Sequence, residues 1–297
     1  MHKLLLIITL LLSNAANARI WYQDNNLHKA GGVPKDFATR TISNESLNNM
    51  AVYYLRIGSA RANPNVMRRL AINLKGKPVA LDVDDATWAN CRNKRNYSKT
   101  IKDIKLLQST GLNIRYIGLQ SVLSKPYKKR DNRCNEYRTI EQSKIIPRYL
   151  DILSFYQQVQ PVFPSVSIGI IDALPAKRVP YWKDAYRDIT IGLRQRKFNL
   201  GFIQLDMPEH LITSPEPIRY IKSLGVTAGL YLVSSKAGVV SGFEVERKKV
   251  KALLRVKSWG ANYYISSGWF KYPEYSGNGE KRGTSLGTLN ILNMLYK

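Results

Sequence analysis

The feature that most constrains this chain is a repeat of kind rather than of letters: short apolar runs alternate with longer amphipathic ones from residue 50 onward. The runs are "AVYYLRIG" (51–58), "PVALDVDD" (78–85), "NIRYIGLQSV" (113–122), "SVSIGIIDAL" (165–174), "LGFIQLDM" (200–207), "VTAGLYLVSS" (226–235) and "ANYYISSGW" (261–269). Each is of strand length and rich in β-branched or aromatic residues. Helical start signals fall between them. Asn63-Pro64 and Ser214-Pro215 each place a capping side chain before a proline. Consecutive strands joined through helices must lie parallel, because a parallel crossover needs a helix to return the chain. Seven such units, with "RIWYQ" (19–23) as an eighth strand, predict an α/β fold of the TIM-barrel type, a closed (β/α)8 barrel with an irregular first unit over 24–49. The alternative is an open doubly wound sheet. That fold carries a glycine-rich first turn, and "RIGSARANP" is not one.

The first eighteen residues, "MHKLLLIITLLLSNAANA", read as a secretory signal: Lys3, an apolar run from Leu4 to Leu12, and a small-x-small end at Ala16-Asn17-Ala18. That core is too short to span a bilayer of about 30 Å. The expectation is a secreted or periplasmic protein with one domain over 19–297 and no transmembrane segment. The formal net charge of +25 suits an anionic partner, such as an acidic envelope polysaccharide. No nucleic-acid-binding module is recognisable. Cys91 and Cys134 are the two cysteines. In an oxidising compartment they predict a disulfide closing about 43 residues, worth roughly 4 kcal/mol on the chain-entropy model. With three histidines in the whole chain, one of them in the signal, a metal site is not expected, and no cofactor is called for.

Strand parity then sorts the polar residues. Barrel strands alternate between interior and helix-facing positions. With Val79, Leu81 and Val83 against the helices, Asp82 and Asp84 point inward. With Ile203 and Leu205 outward, Phe202, Gln204 and Asp206 point inward. Arg56 shares a face with Val52 and Tyr54, and Tyr116, Gly118 and Gln120 share another. Asp172 ends "SIGIID" on the wrong parity if Ser167 and Gly169 face inward, unless a bulge corrects it. Buried charges need a partner or a use. An internal Arg56–Asp82 pair is the structural use. Asp84 and Asp206, nearer the strand ends, sit where barrel active sites lie. The loops after the second and third of these runs carry Arg92, Lys94, Arg95 and Lys125–Arg133, which would make the mouth basic. Trp88, Tyr127, Tyr137, Trp182, Trp269 and Tyr272 are candidates for stacking on sugar rings.

Paired carboxylates over an apolar pocket are what glycoside hydrolysis requires. Through "ALDVDD", "GIIDALP" and "FIQLDMPEH" the chain resembles the glycoside-hydrolase-like TIM barrels, at the level of architecture over most of its length. The resemblance implies a hydrolase with Asp84, Asp172 and Asp206 as the catalytic candidates. Arg56, Asp82, Tyr116, Gln120, Glu209 and Trp269 are the substrate-binding candidates. The strand "YYISSGW" ends without the glutamate that many such enzymes carry there. Two alternatives stay open: a non-catalytic barrel that binds an acidic polymer, and a metal-dependent phosphodiesterase using Asp82, Asp84, Asp85 and Asp206.

Overall fold

The structure, a computed structural model, describes residues 19–23, 42–61, 63–83, 95–123, 145–173, 180–206, 213–233, 242–267 and 285–296. Eight parallel strands close into one barrel in sequence order: β1 (Arg19–Gln23), β2 (Val52–Arg56), β3 (Pro78–Val83), β4 (Asn113–Gln120), β5 (Ser167–Asp172), β6 (Phe202–Leu205), β7 (Thr227–Val233) and β8 (Tyr263–Ser267). Closure runs through β1, which pairs with β2 on one side and β8 on the other. "RIWYQ" is therefore the eighth strand, and the open-sheet alternative is excluded.

Helices follow the strands: α1 (Asn44–Asn49), α2 (Pro64–Leu74), α3 (Ser98–Ser109), α4 (Ile145–Val159), α5 (Trp182–Gln195), α6 (Glu216–Ser223), α7 (Gly242–Val256) and α8 (Ser285–Tyr296). In the first unit the described residues hold the six-residue helix α1, and 24–41, the rest of the stretch expected to be irregular, lie outside them. The Asn63-Pro64 signal works as read: Asn63 Oδ1 accepts from Asn65 N at 2.9 Å and Pro64 opens α2. Ser214-Pro215 does not. Pro215 itself occupies the cap position of α6, without a side-chain cap bond. Among the described residues no helix is long and apolar enough to cross a membrane. The proposed signal segment, Cys91, Cys134, Asp84, Glu209 and Trp269 lie outside the described residues.

The outward faces of the strands and the inner faces of the helices form the main core, from Ile20 and Tyr53 round to Tyr264 and Leu292. A second cluster fills the barrel itself: Trp21, Val52, Tyr54, Ala80, Ile171, Tyr231, Tyr263 and Ile265. Large and small residues alternate inside. A Cβ on Gly169 would lie 2.4 Å from the Phe202 carbonyl oxygen, and one on Gly229 would lie 2.4 Å from the Tyr263 ring. Glycine at these two positions is what admits the neighbouring rings.

Candidate active site

Register fixes which side chains share the interior. Tyr54 pairs with Ala80, Arg56 with Asp82, Asp82 with Gly118, Gln120 with Ile171, and Ile171 with Gln204. These positions form levels stacked along the barrel axis. At mid-height stands Gln204, fully buried on β6. Its Oε1 accepts from the Tyr54 hydroxyl at 3.1 Å and from the Tyr231 hydroxyl at 3.3 Å, and its Nε2 donates to the Tyr263 hydroxyl at 3.0 Å. One amide thus satisfies three phenols from three strands. Burial holds all three phenols well above their ordinary ionisation, and neighbouring charge or phenols add to it. This layer is a plug, and it divides the barrel into an upper and a lower mouth.

Above the plug, at the C-terminal ends of the strands, the interior turns polar. Asp82 is buried, and its Oδ2 stands 3.8 Å from Arg56 Nε. The internal pair expected from parity is present. The Arg56 side chain keeps 26% exposure against 2% for Asp82, so the guanidinium looks out of the floor while the carboxylate lies beneath it. Gln120 is buried at the end of β4. Gln23 and Ser267, the last residues of β1 and β8, join through a 2.5 Å bond from Ser267 Oγ to Gln23 Oε1. Asp206 follows β6 directly, partly exposed, its amide donating to the Asp172 carbonyl at 2.8 Å. After burial, the charges of Asp206 and then Asp82 push the ionisation of the Tyr231 phenol up.

Asp172 has a different place. Ile171 lies in the interior cluster, so its neighbour faces the helices, and no bulge corrects the parity. The Asp172 carboxylate accepts from Leu123 N at 3.0 and 3.1 Å and from the Tyr186 hydroxyl of α5 at 3.3 Å. Burial and then this carboxylate hold the Tyr186 phenol well above its ordinary value. The turn it grips is strained: Ser121 adopts φ 58°, a left-handed conformation uncommon outside glycine, and its amide donates to the Ile171 carbonyl at 2.6 Å. Asp172 thereby braces the turn that leaves Gln120.

Three other expectations are corrected. Tyr116 lies four residues before Gln120, about 13 Å lower at the rise of a strand. It packs on Trp21 at 4.8 Å in the lower mouth. Trp182 is buried against Tyr186 and Tyr220, at 6.0 and 5.4 Å, and presents no face to a sugar. Arg95 is not a loose rim cation; its Nε donates to buried Asp151 of α4 at 2.8 Å. Gln23, Ser267 and Tyr231 were not among the sequence candidates. Parity along "RIWYQ" and "YYISS" could have found the first two, as polar residues ending inward rows.

No family model and no curated protein matches this sequence. Solved structures do. An intracellular xylanase from Thermoanaerobacterium saccharolyticum aligns with TM-score 0.52 and 11% identity, over 89% of each chain. An orotidine 5'-monophosphate decarboxylase from Methanocaldococcus jannaschii aligns with TM-score 0.50 and 10% identity, over 94% of this chain and 99% of its own. A glucosidase from Croceicoccus marinus gives TM-score 0.50 and 9% identity, over 84% of this chain; only 62% of the glucosidase is spanned. At these identities the likeness is one of fold. The chain is a (β/α)8 barrel, an architecture it shares with glycosidases and with enzymes of other chemistry.

Proposed function

We propose that this protein is an exported hydrolase that cleaves glycosidic bonds in an acidic polysaccharide at the upper mouth. What supports the reading is that Asp206, directly after β6 and of one parity with Gln204, and the Arg56–Asp82 pair all stand at the C-terminal ends of their strands, above the layer of Gln204 and its three tyrosines. Asp206 and Asp84, the next residue of inward parity after Asp82, are the proposed catalytic pair. One carboxylic acid protonates the glycosidic oxygen as the bond breaks. The other attacks the anomeric carbon or draws a proton from the attacking water. Arg56, held from below by Asp82, offers a partly exposed cation to a sugar carboxylate or sulfate. Gln120, on the turn braced by Asp172, supplies an amide to orient the ring. The net charge of +25 favours an anionic polymer, and the leader-like first eighteen residues favour action outside the cytoplasm.

The test is release of reducing ends from a panel of acidic polymers (polygalacturonate, alginate and hyaluronate). Asp206→Asn is expected to lower turnover by about 10²–10⁴-fold while leaving polymer affinity within a few-fold. Turnover unchanged in Asp206→Asn would refute the assignment. Polymer binding with no turnover by the wild-type chain would make it a binding protein instead.

A further inference from the structure

The lower mouth of the barrel is built for something the upper-mouth chemistry does not use. Below the Gln204 layer a cavity of about 200 Å³ is lined by Trp21, Tyr116, Ser167, Gly201, Phe202, Thr227, Asn262 and Tyr263. All but Trp21 and Tyr116 stand at the first residue of a strand or one before it, so the cavity opens at the N-terminal end of the barrel. Its wall is aromatic: Trp21 stacks on Tyr263 at 4.0 Å with planes 6° apart, and Tyr116 leans on the other side at 4.8 Å. Its rim carries hydroxyls from Ser167 and Thr227. Asn262 Oδ1 accepts from Ala228 N at 2.9 Å, which leaves the side-chain amide hydrogens of Asn262 to donate. The volume is below the roughly 300–1,000 Å³ of pockets for drug-sized ligands, which restricts an occupant to about one ring. An aromatic wall with hydroxyl and amide groups at the rim is a surface suited to a sugar ring.

The turns that build this rim are charged with one sign. Residues 194–201, 222–226 and 255–262 lead into β6, β7 and β8; they contain Arg194, Arg196, Lys197, Lys222, Arg255 and Lys257, and no aspartate or glutamate. All six cations are exposed. Helix C-termini attract cations for their own reasons, and that accounts for part of the set. Arg194 Nη2 donates to the Leu224 carbonyl at 2.6 Å and Lys222 Nζ to the Gly260 carbonyl at 2.9 Å, which ties the three turns together. Arg196, Lys197 and Lys257 remain beyond such capping bonds. Lys197 is held in a left-handed conformation at φ 63°, four residues from the cavity lining at Gly201.

We propose that the lower mouth is a second, non-catalytic site for an acidic polysaccharide. One sugar ring sits against the half-buried Tyr116, which Trp21 backs, and neighbouring anionic groups lie along Arg196, Lys197 and Lys257. The choice of a glycan rests on the hydrolase reading; the cavity and its one-signed rim do not. Because the plug of Gln204 and three tyrosines separates the two mouths, the site would hold the protein on its polymer while the upper mouth works on another stretch or strand.

The test uses the full chain carrying Asp206→Asn, so that binding is read without turnover. Its retardation in gels containing polygalacturonate or alginate is compared with that of variants adding Arg196→Glu, Lys197→Glu and Lys257→Glu together, or Tyr116→Ala alone. Melting curves confirm that each variant folds. The charge reversal is expected to weaken binding more than tenfold and to flatten its salt dependence. Tyr116→Ala is expected to weaken it severalfold, and bound polymer to slow amide exchange in 194–201 and 257–262. Unchanged affinity in both variants would overturn the site. So would loss of binding from Arg56→Ala alone, which would put the polymer at the upper mouth. Retention on anionic phospholipid vesicles but on neither polymer, insensitive to Tyr116→Ala, would overturn it in favour of a lipid surface. If Asp206→Asn leaves turnover intact but the lower-mouth variants lose binding, the hydrolase assignment fails and this site stands.

Discussion

Lys249 offers a prediction that follows from burial alone. It lies on α7, 1% exposed, and its hydrogen bond among the described residues is to Ser266 Oγ of β8 at 3.1 Å. With no ion pair among the described residues to offset desolvation, burial lowers its ionisation from 10.5 to about 7. That gap corresponds to about 5 kcal/mol held against the charged native state. The sign follows from proton counts. Between about pH 7 and 10.5 the unfolded chain binds the proton and the folded chain does not, so stability rises with pH across that window. Below pH 7 both states are protonated and the penalty is complete. Lys249→Met keeps the length of the side chain and removes the charge, while losing a hydrogen bond worth about 1 kcal/mol. The variant should therefore exceed the wild type by about 3 kcal/mol or more at pH 6.5, or roughly 6–12 °C in Tm. The difference should shrink by about 1.4 kcal/mol per pH unit above 7 and nearly vanish by pH 9.5. Paired urea denaturation curves at four pH values measure this, since contributions from other groups cancel in the difference. A gap that does not change with pH, or a variant less stable at pH 6.5, would refute the reasoning.

Two further perturbations test the interior. Gln204→Leu leaves the hydroxyls of Tyr54, Tyr231 and Tyr263 without the amide that joins them. It should cost about 3–5 kcal/mol, read from urea midpoints, and a loss under 1 kcal/mol would argue against the plug. Asp172→Asn weakens the grip on Leu123 N and should lower kcat with little change in KM, together with faster amide exchange over 121–123; unaltered exchange there would remove its positioning role.

The fold was legible because strand and helix periods differ, and each apolar run is bounded by turn residues. The interior set followed from alternation alone: Arg56 with Asp82, and Gln204 with Asp206, stand as parity places them. Asp172 shows the limit of that method. Its wrong parity was visible in "SIGIID", but the partners that make an outward carboxylate tolerable, Leu123 N and the Tyr186 hydroxyl, come from segments 49 and 14 residues away. Tyr116 was misjudged for a different reason. Alternation gives the face of a strand and not the height along the barrel, which depends on register with the neighbours. The Gln204 cluster was hidden because its four members sit on four strands, and nothing in any one strand announces a shared hydrogen-bond centre. Trp182 carried no local sign that α5 and α6 would close over it.

The central claim, that carboxylates at the upper mouth act on an anomeric carbon, is tested most directly by azide rescue. Asp84→Ala and Asp206→Ala would each be incubated with azide and the acidic polymer that the wild-type chain depolymerises, and the products analysed for glycosyl azide. The account predicts that both variants lose activity and that azide restores bond cleavage in the one lacking the nucleophile or base, with a glycosyl azide as product. Full activity in both variants, or no depolymerisation by the wild-type chain, would contradict it.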